Sequence, residues 1–369
     1  MILIQGNKML STNLKYLFVI SLLILNLNAN PKKHDVEALY IPLADHYAAL
    51  VAYERYSDDM KYANFKITQM GNWDLLRAYF QSGEVDMAFV MSPLAMDMYS
   101  DEPNFRWIGL MHRDGNALAI NNLIRNQINL PKNRKDRKPN AEVANALKQL
   151  YIQRKKPIQI AVPHLLSTHS VVLYQYLKEN NITLTFSPNQ DMEVLGISIA
   201  PPKAPAFIKG QSARAIPAAF EQSLPWADIV ETGDFGHVAW YSKDVMKHQH
   251  GHVECIALAT DKAIDAKFEA IKEVMHYIKQ AGTDIEKARV DGGKELDKIV
   301  SIIRKHIKAH TKEAIIASLD SELYVINYKH LNIDKKGLTQ IMDYAYEGKI
   351  IKQKIDISAF ADERFDENK

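Results

Sequence analysis

Short apolar runs alternate with helically spaced segments along most of this chain, and this alternation limits the fold more than any other feature of the sequence. Runs at 38–43 and 85–90 are typical of buried strands, whereas Leu76 and Phe80 share one helical face that ends before Gly83. Strands that alternate with helices predict α/β layers. The length of 369 residues exceeds what one hydrophobic core usually organises, so about two domains are expected.

The same pattern divides the chain into successive segments. We expect the first part of one lobe at 34–125, a basic insertion or crossover at 126–156 and a second lobe at 157–240. Residues 241–369 are expected to return to the first lobe and to add C-terminal helices. Further strands are predicted at 65–68, 105–110, 117–120, 158–162, 195–199, 215–220 and 252–258, and further helices at 140–154, 169–178 and 205–209.

The N-terminal segment 1–29 has the pattern of a secretory signal. Lys8 and Lys15 precede an apolar run at 16–25, which is shorter than the roughly 20 residues that span a bilayer, and Ala29 is a suitable cleavage position. An uncleaved membrane anchor is the alternative interpretation. The single cysteine, Cys255, rules out an internal disulfide. We therefore expect an exported, periplasmic protein whose large core supplies its stability.

The overall charge excludes a general affinity for polyanions. The chain has 46 Lys and Arg against 44 Asp and Glu, so nucleic-acid binding is not expected. The segment 131–156 differs, with nine basic residues and two acidic ones. A docking patch for a partner or anionic surface is one interpretation, and a solvated insertion is the favoured one.

No familiar catalytic motif is present in the sequence. The nucleophile elbow, the phosphate-binding loop, the dinucleotide-binding turn and the His-Glu-x-x-His helix are all missing. This absence favours a binding protein over an enzyme, and an exported enzyme that acts on a related small molecule remains the less favoured alternative.

Three histidines form the sharpest local pattern in the chain. His248, His250 and His252 alternate along what would be one face of an extended strand, and Cys255 follows closely. Such spacing suits some zinc sites. The alternative is one histidine of a returning strand with two polar neighbours in an exposed loop. A histidine-based metal carrier or ligand sensor is accordingly the second functional hypothesis.

Several segments in one order carry a resemblance to a known family. In the first half they are Ile-Pro-Leu-Ala-Asp-His at 41–46, Gly-Asn-Trp at 71–73, Ser-Gly-Glu-Val-Asp-Met-Ala at 82–88 and Asp-Gly-Asn-Ala-Leu-Ala-Ile at 114–120, and the looser ones are at 201–210, 221–226 and 250–257. Together they resemble the nitrate, bicarbonate, sulfonate and taurine group of ABC-transporter substrate-binding proteins. The segment 221–226 lacks the acidic residue that this family usually has directly before the proline.

The resemblance implies a two-lobed periplasmic binding protein fold of type II, in which each lobe is a sheet flanked by helices. It implies a monomer without a cofactor that closes on a small anion and delivers it to an ABC permease at the inner membrane. The ligand should lie where strand ends and helix N-termini face the cleft. The residues expected to line that cleft are Asp45, His46, Trp73, His112, Asn116, Ser167, Thr168, His169, Glu221 and Trp226.

Structural roles are the alternative for some of these residues. Trp73 and Trp226 could be core residues, and Ser167 and Thr168 could only cap their helix. If imidazolium supplies part of the positive charge, the affinity for an anion should weaken as the pH rises through the reference histidine pKa of ~6.5. Binding of cations or zwitterions would instead indicate that Asp45 and Glu221 are the dominant charges.

Overall fold

Two separate sheets organise the molecule, each covered by helices. The structure is a computed structural model that describes residues 32–188 and 192–367, so the expected signal segment 1–29 lies outside the described residues. No helix in the described part of the chain is both long enough and apolar enough to cross a membrane.

The first sheet has five strands in the order β2-β1-β3-β12-β4. The strand β1 is parallel to β2 and β3, whereas β12 is antiparallel to both β3 and β4. The bounds are β1 (His34–Tyr40), β2 (Ala63–Gln69), β3 (Met87–Met91), β4 (Phe105–Leu110) and β12 (Cys255–Thr260). The late strand β12 lies between two early ones, so the chain returns to the first lobe near residue 255.

The second sheet has six strands in the order β11-β6-β10-β7-β9-β8. The bounds are β6 (Asn116–Ile120), β7 (Ile158–Val162), β8 (Leu184–Thr185), β9 (Val194–Ser198), β10 (Ala218–Ser223) and β11 (His237–Tyr241). A small third sheet pairs β5 (Arg113–Asp114) with β13 (Ile326–Asn327) beside the crossover between the lobes.

Helices cover both main sheets. Their bounds are α1 (Tyr47–Tyr56), α2 (Trp73–Gln81), α3 (Ser92–Asp101), α4 (Asn122–Arg125), α5 (Ala141–Arg154), α6 (Thr168–Glu179), α7 (Ala204–Ala213), α8 (Trp226–Thr232), α9 (Ser242–Val245), α10 (Asp261–Asp291), α11 (Gly293–His306), α12 (Lys312–Ser318), α13 (Lys335–Glu347) and α14 (Ile357–Phe360). Local signals in the sequence set several of these ends. The side chain of Asn72 accepts a hydrogen bond from the Leu75 amide at the start of α2, and Gly83 has a positive φ of 73° just beyond its end.

Four strand predictions differ from the structure, and one of these is the strand expected at 252–258, which is Cys255–Thr260. The first strand ends at Tyr40, so residues 41–46 form a loop and the 3-10 turn Ala44–His46. The strand expected at 215–220 is Ala218–Ser223, because it pairs with β6 from Ala219 opposite Ile120 to Ser223 opposite Asn116. The strand predicted at 117–120 lies in the second sheet and not in the first lobe. Pairing between distant strands fixed these positions, and local hydrophobicity does not encode it.

The basic segment is tied to the second lobe by its own charges. Arg134 pairs with the buried Asp228, and the Arg137 guanidinium lies 2.7 Å from the carboxylate of Glu231. The predicted helix is present as α5, and the Tyr176 hydroxyl donates a 2.8 Å hydrogen bond to the Asn140 carbonyl just before it. These ion pairs are intramolecular, so at least part of the basic charge stabilises the fold.

Candidate functional site

Polar side chains of the first lobe converge where its strands end, against the second lobe. Asp45 and His46 lie on the 3-10 turn after β1, and His112 follows β4. Glu254 immediately precedes β12, and Cys255 is its first residue. All five side chains are completely buried. Buried ionisable groups are rare unless they are paired, so this concentration indicates a functional site.

One imidazole lies between two carboxylates in this group. The His112 Nε2 atom is 3.1 Å from Glu254 Oε2 and 3.5 Å from Asp45 Oδ2. Burial by itself would lower the pKa of His112, but the two neighbouring carboxylates outweigh that effect and raise it to about 10. His112 is therefore a cation at neutral pH.

The second lobe contributes the opposite wall. Ser223, the last residue of β10, donates a 3.0 Å hydrogen bond to Asp45 Oδ2 and lies 2.9 Å from His169 Nε2. His169, in the first turn of α6, places its Nδ1 atom 3.5 Å from Glu254 Oε1. These contacts cross from one lobe to the other and hold the lobes together at the site.

Backbone and indole contacts reinforce that closed arrangement. The Ala44 amide donates a 2.8 Å hydrogen bond to the Leu224 carbonyl, and the indole N–H of Trp226 donates one of 3.0 Å to the Pro42 carbonyl. At the edge of the cleft, His164 Nε2 lies 3.3 Å from the Asp74 carboxylate. The lobes therefore touch through neutral and charged groups around the whole buried cluster.

The three buried carboxyl groups of the site, Asp45, Glu254 and Glu221, differ in the direction of their pKa shifts. Burial would raise the pKa of Asp45, but His112, His46 and His169 lower it below its usual range. Burial and Asp45 raise the pKa of Glu254 to about 7. Burial and Glu254 hold the pKa of Glu221 well above its usual range, which favours its protonated form.

Two other histidines of the site are neutral. Burial lowers the pKa of His46 to about 4 and that of His169 to about 3, despite the opposing effect of Asp45. They can act as hydrogen-bonding groups but supply no positive charge at neutral pH. Within the described residues, Asp45 and Glu254 form ion pairs with the cationic His112, and neither pairs with a lysine or an arginine.

Several buried polar atoms here make no hydrogen bond to any described residue. They are Asp45 Oδ1, His112 Nδ1, Asn116 Oδ1 and Nδ2, Glu221 Oε1 and Oε2, Glu254 Oε1, His169 Nδ1 and Trp73 Nε1. An unpaired buried polar group costs roughly 1–3 kcal/mol of stability. A concentration of such groups is expected where a ligand supplies the missing partners.

The structure places the expected cleft residues in different roles. Five of the expected residues are buried together in one cluster: Asp45, His46, His112, His169 and Glu221. Short polar contacts or electrostatic effects on their pKa values link these five side chains.

Four of the remaining five expected residues have structural contacts, whereas the buried side chain of Asn116 makes no hydrogen bond to a described residue. Ser167 caps α6 by accepting a hydrogen bond from the Ser170 amide, and the hydroxyl of Thr168 lies 3.4 Å from that of Ser92 across the lobes. Trp226 joins the two lobes, and Trp73 packs edge-on against the His46 ring, 6.3 Å away.

Sequence reasoning missed Ser92, Ser223 and Glu254. Ser92 directly follows a buried strand, so the rule that ligands bind at the carboxyl ends of strands could have found it, whereas the predicted strand at 252–258 placed Glu254 inside a strand. Ser223 was not predicted as a site residue because its strand was expected to end at residue 220, three positions too early.

The three alternating histidines point in different directions. His252 is buried, with its Nε2 atom 2.9 Å from the Ser242 hydroxyl. The ring of His250 stacks on His330 at 4.0 Å, and His248 Nε2 lies 3.5 Å from the Asp334 carboxylate. A different set of metal-ligating side chains does meet: Asp45, His112, Glu254 and Cys255 each offer one donor atom within 4.8 Å of the others.

The fold matches that of several solved binding proteins. The periplasmic nitrate-binding protein NrtA from Synechocystis PCC 6803 gives a TM-score of 0.73 at 14% identity, covering 91% of this chain and 88% of that one. The zinc-bound ligand-binding component of an ABC-type import system from Staphylococcus aureus gives 0.68 at 17% identity, with 90% and 98% covered. The structural similarity, at such low sequence identities, establishes a shared periplasmic binding protein fold.

A third structure extends the comparison to sulfonates. The alkanesulfonate-binding protein SsuA from Xanthomonas axonopodis pv. citri, bound to MOPS, gives a TM-score of 0.65 at 10% identity, with 89% of this chain and 99% of that chain covered. None of the curated proteins matches the sequence. The resemblance to nitrate- and sulfonate-type binding proteins is thus confirmed at the level of the fold. Residues 29–297, well over half of the chain, match the NMT1-like family model, and the chain belongs to the NMT1-like family.

Proposed function

We propose that this protein is the periplasmic solute-binding component of an ABC importer, and that it binds a small solute of the nitrate, sulfonate, taurine and bicarbonate class between its lobes. The observation that carries the proposal is the completely buried polar cluster joined by the Ser223–Asp45 contact. The fold of the nitrate- and sulfonate-binding relatives supports the same function. Closure of two lobes around a solute is the expected conformational step.

The charges of the cluster favour one kind of solute within that class. A buried anion needs a compensating positive charge, and here the only cationic histidine, His112, already lies between Asp45 and Glu254. A plain anion would meet carboxylates that no lysine or arginine within the described residues neutralises. A solute that carries both an acidic group and an amine fits better, because its ammonium can bind the carboxylates.

The donors needed by the acidic end of such a solute are also present. Trp73 Nε1 and Asn116 Nδ2 are buried donors that make no hydrogen bond to a described residue. We therefore propose an aminosulfonate such as taurine as the best-matched member of the class.

Isothermal titration of residues 30–369 at pH 7, after chelator treatment, tests this proposal. The panel is taurine, ethanesulfonate as its matched analogue without the amine, nitrate and bicarbonate. Taurine should bind at least about 10-fold more tightly than ethanesulfonate, because one charge-assisted hydrogen bond contributes roughly 1.5–3 kcal/mol. Tighter binding of ethanesulfonate or nitrate would contradict the amine requirement, and no binding by any of the four would contradict the solute class.

A variant pair places the binding in the cluster. Asp45→Asn should weaken taurine binding by about 10- to 100-fold, whereas Asp136→Asn, an exposed acid of the basic segment, should leave it unchanged. Conversion of the bound solute into a product during the titration would favour the alternative of an exported enzyme.

A further inference from the structure

Four metal-ligating side chains meet on the first-lobe side of the buried cluster. Asp45, His112, Glu254 and Cys255 each offer one donor atom, and these atoms lie within 4.8 Å of one another. Every one of these side chains is fully buried. All four belong to the first lobe or its border, since they follow β1, follow β4 or begin β12. The set is therefore assembled by one sheet.

We infer that this set binds one divalent transition-metal ion of the zinc type through the carboxylates of Asp45 and Glu254, an imidazole nitrogen of His112 and the thiolate of Cys255, and that the ion displaces one proton from His112 and one from Cys255 into solvent as it binds. This inference goes beyond the proposed solute-binding function. Mixed nitrogen, oxygen and sulfur ligands select borderline metals such as Zn²⁺ and Co²⁺ over Mg²⁺ or Ca²⁺, which prefer oxygen alone.

The spacing of the donors is close to that of a tetrahedral site. Metal–ligand bonds of about 2.0–2.3 Å place tetrahedral ligand atoms roughly 3.5 Å apart. Donor atoms that lie within 4.8 Å of one another therefore have to approach by at most roughly 1.3 Å, which small side-chain rotations can supply. The His112 Nε2 and Glu254 Oε2 atoms, 3.1 Å apart, are already closer than that spacing.

Free polar atoms in the same set support a bound cation. Asp45 Oδ1 and Glu254 Oε1 are buried and make no hydrogen bond to any described residue. Two buried carboxylates that share one imidazole leave acceptor capacity that a dication would use.

The surroundings of the four ligands resemble an outer ligand shell. His46 Nε2 lies 3.2 Å from Cys255 Sγ, and its Nδ1 atom is 2.7 Å from the Ile41 carbonyl, which fixes the ring orientation. Ser223 from the second lobe hydrogen-bonds Asp45. Such partners orient metal ligands and raise affinity. Because second-lobe residues cover the set, the ion must enter when the lobes open.

Cobalt absorption provides a direct test, because the chain has one cysteine. Co²⁺ added to chelator-treated protein should produce a thiolate-to-cobalt charge-transfer band, and Zn²⁺ should abolish the band at one equivalent per chain. Cys255→Ser should remove the band and weaken Zn²⁺ binding by at least about 100-fold, since even outer-shell changes cost about 10- to 100-fold. Circular dichroism and the melting temperature check that the variant is folded.

The matched control is the double variant His248→Gln with His250→Gln, which removes the other candidate histidines and should keep both the cobalt band and zinc binding. Zinc binding that survives Cys255→Ser but is lost in the double variant would overturn the inference and assign the ion to the surface histidines. No thiolate band, or no stoichiometric zinc binding by the unmodified protein, would also overturn it.

The solute titration separates this inference from the proposed function. Taurine binding is measured in chelator-treated protein, and metal binding is measured without taurine, so either can fail alone. Since metal and ammonium would use the same carboxylates, one equivalent of Zn²⁺ should weaken taurine binding by at least about 10-fold. Zinc that leaves taurine affinity unchanged would contradict the shared location.

Discussion

The Ser223 hydroxyl of the second lobe donates a 3.0 Å hydrogen bond to the Asp45 carboxylate of the first lobe, and both side chains are fully buried. This contact joins two residues whose sheets make no common strand pairing. It also positions His169, whose Nε2 atom lies 2.9 Å from the same hydroxyl. Closure of the lobes and the chemistry of the site are therefore linked through one serine.

Ser223→Ala should destabilise the closed form. Removal of the hydroxyl leaves a buried carboxylate oxygen without its donor, which costs about 1–3 kcal/mol. We expect a lower melting temperature, a larger radius of gyration in small-angle scattering and weaker taurine binding. Ser301→Ala, an exposed serine that donates to the Asp297 carbonyl within its own helix, is the matched control. Unchanged dimensions and stability in Ser223→Ala would mean that other contacts hold the lobes.

Glu221→Gln should change how stability depends on pH. Burial and the neighbouring Glu254 hold the pKa of Glu221 well above its usual range, so the folded state keeps a proton that the unfolded chain releases above about pH 4.5. The free energy of unfolding therefore falls as pH rises, by up to about 1.4 kcal/mol per unit from this one group. Glutamine mimics the protonated acid and removes this loss.

Urea unfolding between pH 5 and 8 measures the effect. The difference in stability between Glu221→Gln and the unmodified protein should shift steadily in favour of the variant as pH rises. The exposed Glu269→Gln serves as the control and should show no such trend. A constant difference across the range would show that Glu221 is ionised in the folded protein.

His310 should make the free energy of unfolding rise with pH, which is opposite to the effect of Glu221. Burial lowers its pKa to about 3, and its Nδ1 atom lies 2.8 Å from the Tyr47 hydroxyl. Between about pH 3 and 6.5 the unfolded chain binds a proton that the folded protein does not, so this group makes stability rise with pH in that window. His310→Gln should flatten the rise by up to about 1.4 kcal/mol per unit. Equal slopes in urea unfolding from pH 4 to 6.5 would contradict the assignment.

Arg134→Gln should destabilise the second lobe. The Arg134 guanidinium pairs with the buried Asp228 and donates a 2.7 Å hydrogen bond to the Tyr241 hydroxyl. Its loss leaves the buried carboxylate without its cation, which costs about 3–5 kcal/mol. Lys132→Gln, an exposed position of the same segment, should change the free energy of unfolding by less than about 0.5 kcal/mol. Similar stabilities for the two variants would mean that the segment is a solvated insertion.

Much of the fold could be predicted because local patterns encode it. The alternation of strands and helices gave the α/β class, and Asn72 and Gly83 marked the ends of α2 correctly. Asp45, His46 and His112 do lie just beyond strand ends in the first lobe, and their contact with a ligand stays a prediction. The errors fell at Ser223 and at the strand Asn116–Ile120, where pairing with distant strands decides which sheet a strand joins and where it ends.

The sequence by itself determined the α/β architecture, the family resemblance and the residues available for a polar cleft, because hydrophobic periodicity and short motifs act over a few neighbouring positions. Only the tertiary structure decided the charge of that cleft. His112 and Glu254 are 142 positions apart, yet they lie 3.1 Å from each other with Asp45 beside them. The two carboxylates make His112 cationic, whereas burial leaves His46 and His169 neutral, because desolvation and nearby charges set each pKa, and both depend on the folded environment.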